Sequence, residues 1–144
     1  MKIAVLGYGT VGSGVVEVLD VNQKLIASRA KEEIEVKYVL DLRDFPGDKI
    51  QEKIVHDYEI ILNDPEIGIV VEVMGGVEPA NTFVRKALEA GKSVVTSNKA
   101  LVAKHGSALL KTAREKNVNF LFEASVGGGI PILRALGSSL TGDE

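Results

Sequence analysis

A doubly wound α/β fold with a mainly parallel sheet is what this sequence predicts, and three observations predict it. The apolar run Ile3-Ala4-Val5-Leu6 reads as a buried strand and leads directly into Gly7-Tyr8-Gly9-Thr10-Val11-Gly12. Val11, Val15, Val18 and Leu19 then recur at helical spacing. Beyond them, strand-like and helix-like segments alternate along the chain, the pattern of parallel strands joined by crossover helices.

Taken in order, residues 2–6 make the first strand, and about 10–30 make a long helix running into the charged stretch Arg29 to Glu33. The second strand covers about 34–41, rich in Val, Ile and Tyr. Asp41 to Asp48, which contains Pro46-Gly47, reads as an excursion at its carboxyl end. A short helix near 57–63 stops at Asp64-Pro65. Ile67 to Val73 is nearly all apolar, as expected of a central strand covered on both faces. Pro79 suits the first turn of a helix with Phe83, Ala87 and Ala90 on its apolar stripe and Gly91 as its stop. Lys92 to Ser97 is the next strand. A helix from about Ala100 to Lys116 follows, with Val102, Leu109, Leu110 and Ala113 on one side and Asn117 closing it. Val118 to Glu123 is a fifth strand and Ile130 to Leu140 a final helix. Residues 1–144 therefore read as one domain, with no repeat, linker or second domain.

A chain of 144 residues can bury a substantial core. Its net charge of −3, with Lys and Arg scattered among acids, offers no basic face to nucleic acid. The absence of cysteine excludes disulfides and thiolate metal sites, and suits a reducing compartment. No apolar run approaches the roughly 18 residues of a membrane helix, and no signal segment precedes the first strand. The expectation is a soluble, cytoplasmic protein with neither membrane nor nucleic-acid partners.

The glycines carry the first chemistry. In a strand–turn–helix unit Gly7 makes the tight turn, Gly9 lets backbone approach a pyrophosphate, and Gly12 lets helix pack closely on strand. The helix amino terminus then offers free N–H groups to the phosphates. This is the fingerprint of a Rossmann-type dinucleotide-binding domain. An acid at the end of the second strand ordinarily takes the ribose hydroxyls, and here the candidate is Asp41. Arg43, two residues on, could instead pair with a 2′-phosphate. Strand alternation points both the same way, so NAD and NADP both stay open, as does the reading of either residue as a solvated charge.

Gly75-Gly76 ends the central strand, where backbone without side chains lets a ligand lie in the crevice. Glu72 precedes it in an apolar strand and must either be paired or face that crevice. Ser97 and Lys99 open the next helix, where an ammonium could polarise a carbonyl oxygen or relay a proton near a nicotinamide. A cation sits poorly at the positive end of a helix, which favours a role over an ordinary surface lysine. The stretch Glu123-Ala124-Ser125-Val126-Gly127-Gly128-Gly129-Ile130-Pro131 frees several carbonyls beside a carboxylate, as a hard cation would require. The residues alone favour a flexible connection with a capping acid.

Four pieces resemble the homoserine dehydrogenase family: Gly7 to Gly12, Val73-Met74-Gly75-Gly76-Val77-Glu78-Pro79-Ala80, Ser97-Asn98-Lys99-Ala100-Leu101, and Glu123 to Pro131. The last two are the more specific, and together the four span essentially the whole chain. The resemblance implies NAD(P)-dependent interconversion of L-homoserine and L-aspartate 4-semialdehyde, on the route to threonine, isoleucine and methionine. It implies cofactor contacts from Tyr8, Thr10 and Val11, and a proton-transfer role for Lys99. It also implies a sodium site at Glu123 with the carbonyls of Val126, Gly128 and Ile130, which reverses the preference stated for that loop. The family continues into a substrate domain that this chain lacks. The expectation is therefore a cofactor-binding part, inactive alone, of a protein that is a homodimer at full length. Another dehydrogenase of aspartate or sugar type, or a module sensing NAD(H) without chemistry, would share the glycine turn. The first would not account for the Lys99 and Glu123 segments together; the missing substrate domain favours the second, and a lysine at the nicotinamide end disfavours it.

Overall fold

The structure, a computed structural model, describes residues 1–21 and 35–123. Within them one all-parallel sheet runs in the order β3-β2-β1-β4-β5-β6. The strands are β1 (Lys2–Leu6), β2 (Glu35–Leu40), β3 (Ile54–Val55), β4 (Ile67–Glu72), β5 (Ser93–Thr96) and β6 (Phe120–Phe122). The helices are α1 (Thr10–Val21), α2 (Tyr58–Leu62), α3 (Ala80–Glu89) and α4 (Lys99–Glu115), with a 3-10 helix at Lys49–Lys53. Strand order reverses between β1 and β4, the switch point at which open sheets of this kind bind ligands.

Alternation along each strand divides the core into two layers. Ile3, Val5, Ile69 and Val71 pack on one face with Val15, Val16 and Leu19 of α1. Ala4, Leu6, Val70 and Val94 pack on the other with Val84 and Leu88 of α3 and Leu101 and Leu109 of α4. Each of these larger aliphatic side chains contributes about 1.5–3 kcal/mol relative to exposure. The buried Lys92 amine donates to the carbonyls of Asp64 and Ile67 at 2.8 and 2.9 Å, tying the start of β5 to the start of β4. Burial depresses its pKa.

The doubly wound α/β class is confirmed, and several details change. The sheet has a sixth strand, β3, which with the 3-10 helix before it was not foreseen. Two residues at a sheet edge carry too little pattern to read. The 118–123 strand shortens to β6, and 92–97 to β5. On α1, Val11 is 42% exposed and Val16 takes its place in the buried stripe. Ala90 and Leu110 are exposed, while Val84, Leu88 and Leu101 are buried. A helix of 3.6 residues per turn lets neighbouring positions compete for the core face, and only the docking angle decides. Pro79 caps α3 one residue before its first turn. Asn117 closes α4 with φ 58, and Gly91 follows α3 with φ 83. The end of the expected first helix, from residue 22, and the expected final helix at 130–140 lie outside the described residues.

A Cβ built on Gly12 would lie 2.1 Å from the Gly7 carbonyl oxygen, where no side chain fits. Gly12→Ala should therefore cost about 1–3 kcal/mol or more of stability, the scale of overpacking. A urea melt checks this, and an unchanged midpoint would mean that α1 does not sit this close to the turn.

Candidate functional site

Strand register builds the site. Leu40, Leu6, Glu72, Thr96 and Phe122 are partners in turn across β2, β1, β4, β5 and β6, and each ends its strand. The segments that follow therefore leave from one edge of the sheet. Gly7 to Gly12, Asp41 and Arg43 lie over β1 and β2. Gly75, Gly76, Ser97, Lys99 and Glu123 lie over β4, β5 and β6.

At β1 the turn begins with Gly7 at φ 102, its N–H donating to the Leu40 carbonyl at 2.8 Å. A Cβ on Gly9 would meet nothing within 4 Å, so its backbone borders open space. Thr10 and Val11 are exposed in the first turn of α1, whose leading N–H groups have no partner inside the helix.

Asp41 and Arg43 are clamped together. Asp41 Oδ1 accepts the Arg43 backbone N–H at 2.9 Å and Nε at 3.0 Å. Oδ2 accepts Arg43 Nη2 at 3.0 Å and the Tyr8 backbone N–H at 2.9 Å. A carboxylate has about four acceptor positions, so this one is saturated. The side chain is 9% exposed, and the Arg43 hydrogen bonds, more than any other contact, hold its pKa down at about 2. Arg43 is 62% exposed, lies 5.1 Å over the Phe45 ring, and keeps Nη1 without an acceptor among the described residues.

Beside this clamp opens a cavity of about 540 Å³. Gly7, Gly9, Asp41, Arg43 and His56 border it, with apolar walls from Leu40, Leu42, Tyr58, Met74, Pro79 and Phe83. Such walls suit a flat heterocycle. His56, which sequence reasoning missed, lies 2.7 Å from the Asp41 carbonyl through Nδ1 and 2.9 Å from Asp44 Oδ1 through Nε2. Those two contacts raise its pKa. Its position depends on the unforeseen β3, so no sequence signal pointed to it.

At the other end, Gly75 and Gly76 follow one another at φ 78 and 74, a turn closed to most side chains. Glu72 is fully buried. It accepts hydrogen bonds from Thr96 Oγ1 at 2.6 Å, the Met74 N–H at 2.8 Å and Asn98 Nδ2 at 3.4 Å. Of the two readings left open for Glu72, pairing is the one observed. Asn98 also donates to the Gly76 carbonyl at 2.6 Å and caps α4 by accepting the Leu101 N–H at 3.0 Å. An Asn directly before a helix was a legible signal for that cap. Lys99 is exposed as the first residue of α4, and its side chain makes no hydrogen bond or ion pair with a described residue. The Glu123 N–H donates to the Thr96 carbonyl at 2.9 Å, which brings it beside the start of this turn. Val126, Gly128 and Ile130 lie outside the described residues. Among the described residues no helix is long and apolar enough to cross a membrane.

The family described as "Homoserine dehydrogenase, NAD binding domain" matches residues 7–123. A homoserine dehydrogenase of Lactococcus lactis is 43% identical over 153 residues, covering 100% of this chain and 35% of the relative. The crystal structure of a homoserine dehydrogenase from Thiobacillus denitrificans superposes with a TM-score of 0.79 at 42% identity, covering 94% of this chain and 32% of that one. A hyperthermophilic archaeal homoserine dehydrogenase mutant, solved in complex with NADPH, gives 0.69 at 25% identity, covering 86% and 44%. The chain spans about a third of the length of the curated relatives it matches.

The Asp41 clamp has a measurable signature. Its folded pKa of about 2 lies below the ordinary 3.8, so the clamp stabilises the fold above about pH 3.8 and that contribution is lost as pH falls towards 2. In Arg43→Ala the Asp41 carboxyl should titrate nearer 3.8, which carboxyl NMR would show. An unmoved midpoint would mean that the backbone N–H groups of Tyr8 and residue 43, not the guanidinium, hold the carboxylate down against burial, which raises its pKa.

Proposed function

The chain belongs to the homoserine dehydrogenase family through its NAD-binding domain, and on that footing we propose that residues 1–144 are the cofactor-binding part of an enzyme interconverting L-homoserine and L-aspartate 4-semialdehyde. The groups that hold homoserine would come from the portion of the relatives this chain does not match, leaving the part alone inactive. The whole protein would be a cytoplasmic homodimer serving threonine, methionine and isoleucine synthesis. What carries the reading is convergence: the glycine turn, Gly75-Gly76 and the start of α4 meet along one edge at the switch point.

The nicotinamide dinucleotide supplies hydride acceptance or donation at its ring. Gly7, Gly9 and Gly12 shape the turn on which its pyrophosphate rests, with Tyr8, Thr10 and Val11 around it and the orphan N–H groups of α1 facing the charge. The adenosine half lies over β2. There a saturated Asp41 has no acceptor left for ribose hydroxyls, while Arg43 has Nη1 to give. That balance favours the 2′-phosphate of NADP over NAD. Gly75, Gly76 and Ser97 border the nicotinamide half, and Lys99 is the catalytic residue, its ammonium beside the oxygen whose charge changes. Glu123 with the carbonyls of Val126, Gly128 and Ile130 would hold a monovalent cation such as sodium.

Calorimetric titration with NADPH and NADH tests the cofactor half. Arg43→Ala should weaken NADPH by about 1.5–3 kcal/mol, the range for hydrogen bonds to charged groups. NADH should hold its affinity or gain, because Asp41 is released to the ribose. Equal losses for both would make Arg43 a structural residue.

Lys99 is tested in the full-length protein. Positioned proton transfer is worth about 10²–10⁴-fold, so Lys99→Ala should lower kcat by about that factor while cofactor Kd moves only a few-fold. Arg at this position should rescue little, since it does not give up a proton. Near-normal kcat in Lys99→Ala would remove the catalytic assignment.

A further inference from the structure

Glu72 is a buried polar group whose function the glycine turn and Lys99 leave unexplained. It sits inside the sheet rather than on a loop, fully buried, and faces the α3 and α4 side, since it alternates with Val71 and shares the parity of Val70. Each of its neighbours presents a hydrogen: the Met74 N–H at 2.8 Å, the Thr96 hydroxyl at 2.6 Å and the Asn98 amide at 3.4 Å. Thr96 Oγ1 in turn accepts the Asn98 backbone N–H at 3.0 Å, and Asn98 reaches the Gly76 carbonyl at 2.6 Å. One carboxyl group thus joins the chain entering Gly75-Gly76 to the first turn of α4, the turn that carries Lys99.

Burying a carboxyl group with neutral donors alone is costly, and a strand otherwise built of Ile and Val would pack as well without it. What an apolar residue could not supply is directional fixing of two loops relative to each other. We infer that Glu72 is a positioning residue for the nicotinamide half of the cofactor, fixing Gly75-Gly76 relative to the first turn of α4, which carries Lys99, through Thr96 and Asn98. The inference rests on the dinucleotide-binding reading above.

Glu72→Gln preserves shape and replaces one acceptor by a donor. Either the amide N–H₂ meets the Met74 N–H, or it meets Thr96 and leaves the threonine hydroxyl without an acceptor. Full-length protein should be titrated with NADPH, which spans both halves of the crevice, and with ADP, which occupies only the adenosine and pyrophosphate half. Glu72→Gln should weaken NADPH about tenfold, the scale of one buried donor left unpaired, and leave ADP within about twofold. Thr96→Val should show the same selectivity, and it serves as the test should Glu72→Gln not fold. Equal weakening of NADPH and ADP, or no weakening of either, would overturn the inference. If ADP and NADPH fail to bind the unsubstituted protein, it is the cofactor reading itself that falls, and this inference with it.

Discussion

Parallel strands ending in register are the constraint on which the candidate site depends. Because Leu40, Leu6, Glu72, Thr96 and Phe122 finish their strands side by side, every connecting segment departs from the same edge. The segments after β1 and β5 lead directly into α1 and α4, so two helix amino termini, whose first N–H groups have no partner inside the helix, begin along that line. Reversal of strand order between β1 and β4 sends the flanking connections in opposite directions and opens the crevice between them. An antiparallel sheet would distribute these ends over two edges.

Two carboxyl groups stand near that edge and are satisfied in opposite ways. Asp41 sits at the rim with a cation on it, and the Arg43 guanidinium holds its pKa down at about 2. That arrangement saturates the acid and leaves Arg43 Nη1 without an acceptor among the described residues. Glu72 lies inside, with hydroxyl and amide donors in place of a cation. Its value is directional, since hydrogen bonds fix angles where apolar packing would fix only volume.

Much of the fold was legible because periodicity reports burial. The Ile3–Leu6 run, the apolar stretch from Ile67 and the glycine turn each announce a strand end or helix start, and all appear where expected. Errors gather where pattern is short or ambiguous. β3 contributes two residues, and the choice between Leu109 and Leu110 for the core depends on how α4 rests on its neighbours. Of the candidate site, the glycines, Asp41, Arg43 and Lys99 were legible as residue types placed at strand ends, where the structure has them. His56 was not, because the element that positions it carries no sequence signature.

The alternation of strands and helices and the location of the glycine turn follow from local pattern alone, and four short motifs carry the likeness to one enzyme family. That Arg43 closes on Asp41 instead of standing apart from it is a product of the folded geometry. The same holds for the pairing of Glu72 with Thr96 and Asn98, and for the reach of His56 to the Asp41 carbonyl. These contacts join residues that the sheet, or a turn at its edge, brings within 3.4 Å of each other. A hydrogen bond is decided by such distances and angles, which no one-dimensional pattern contains.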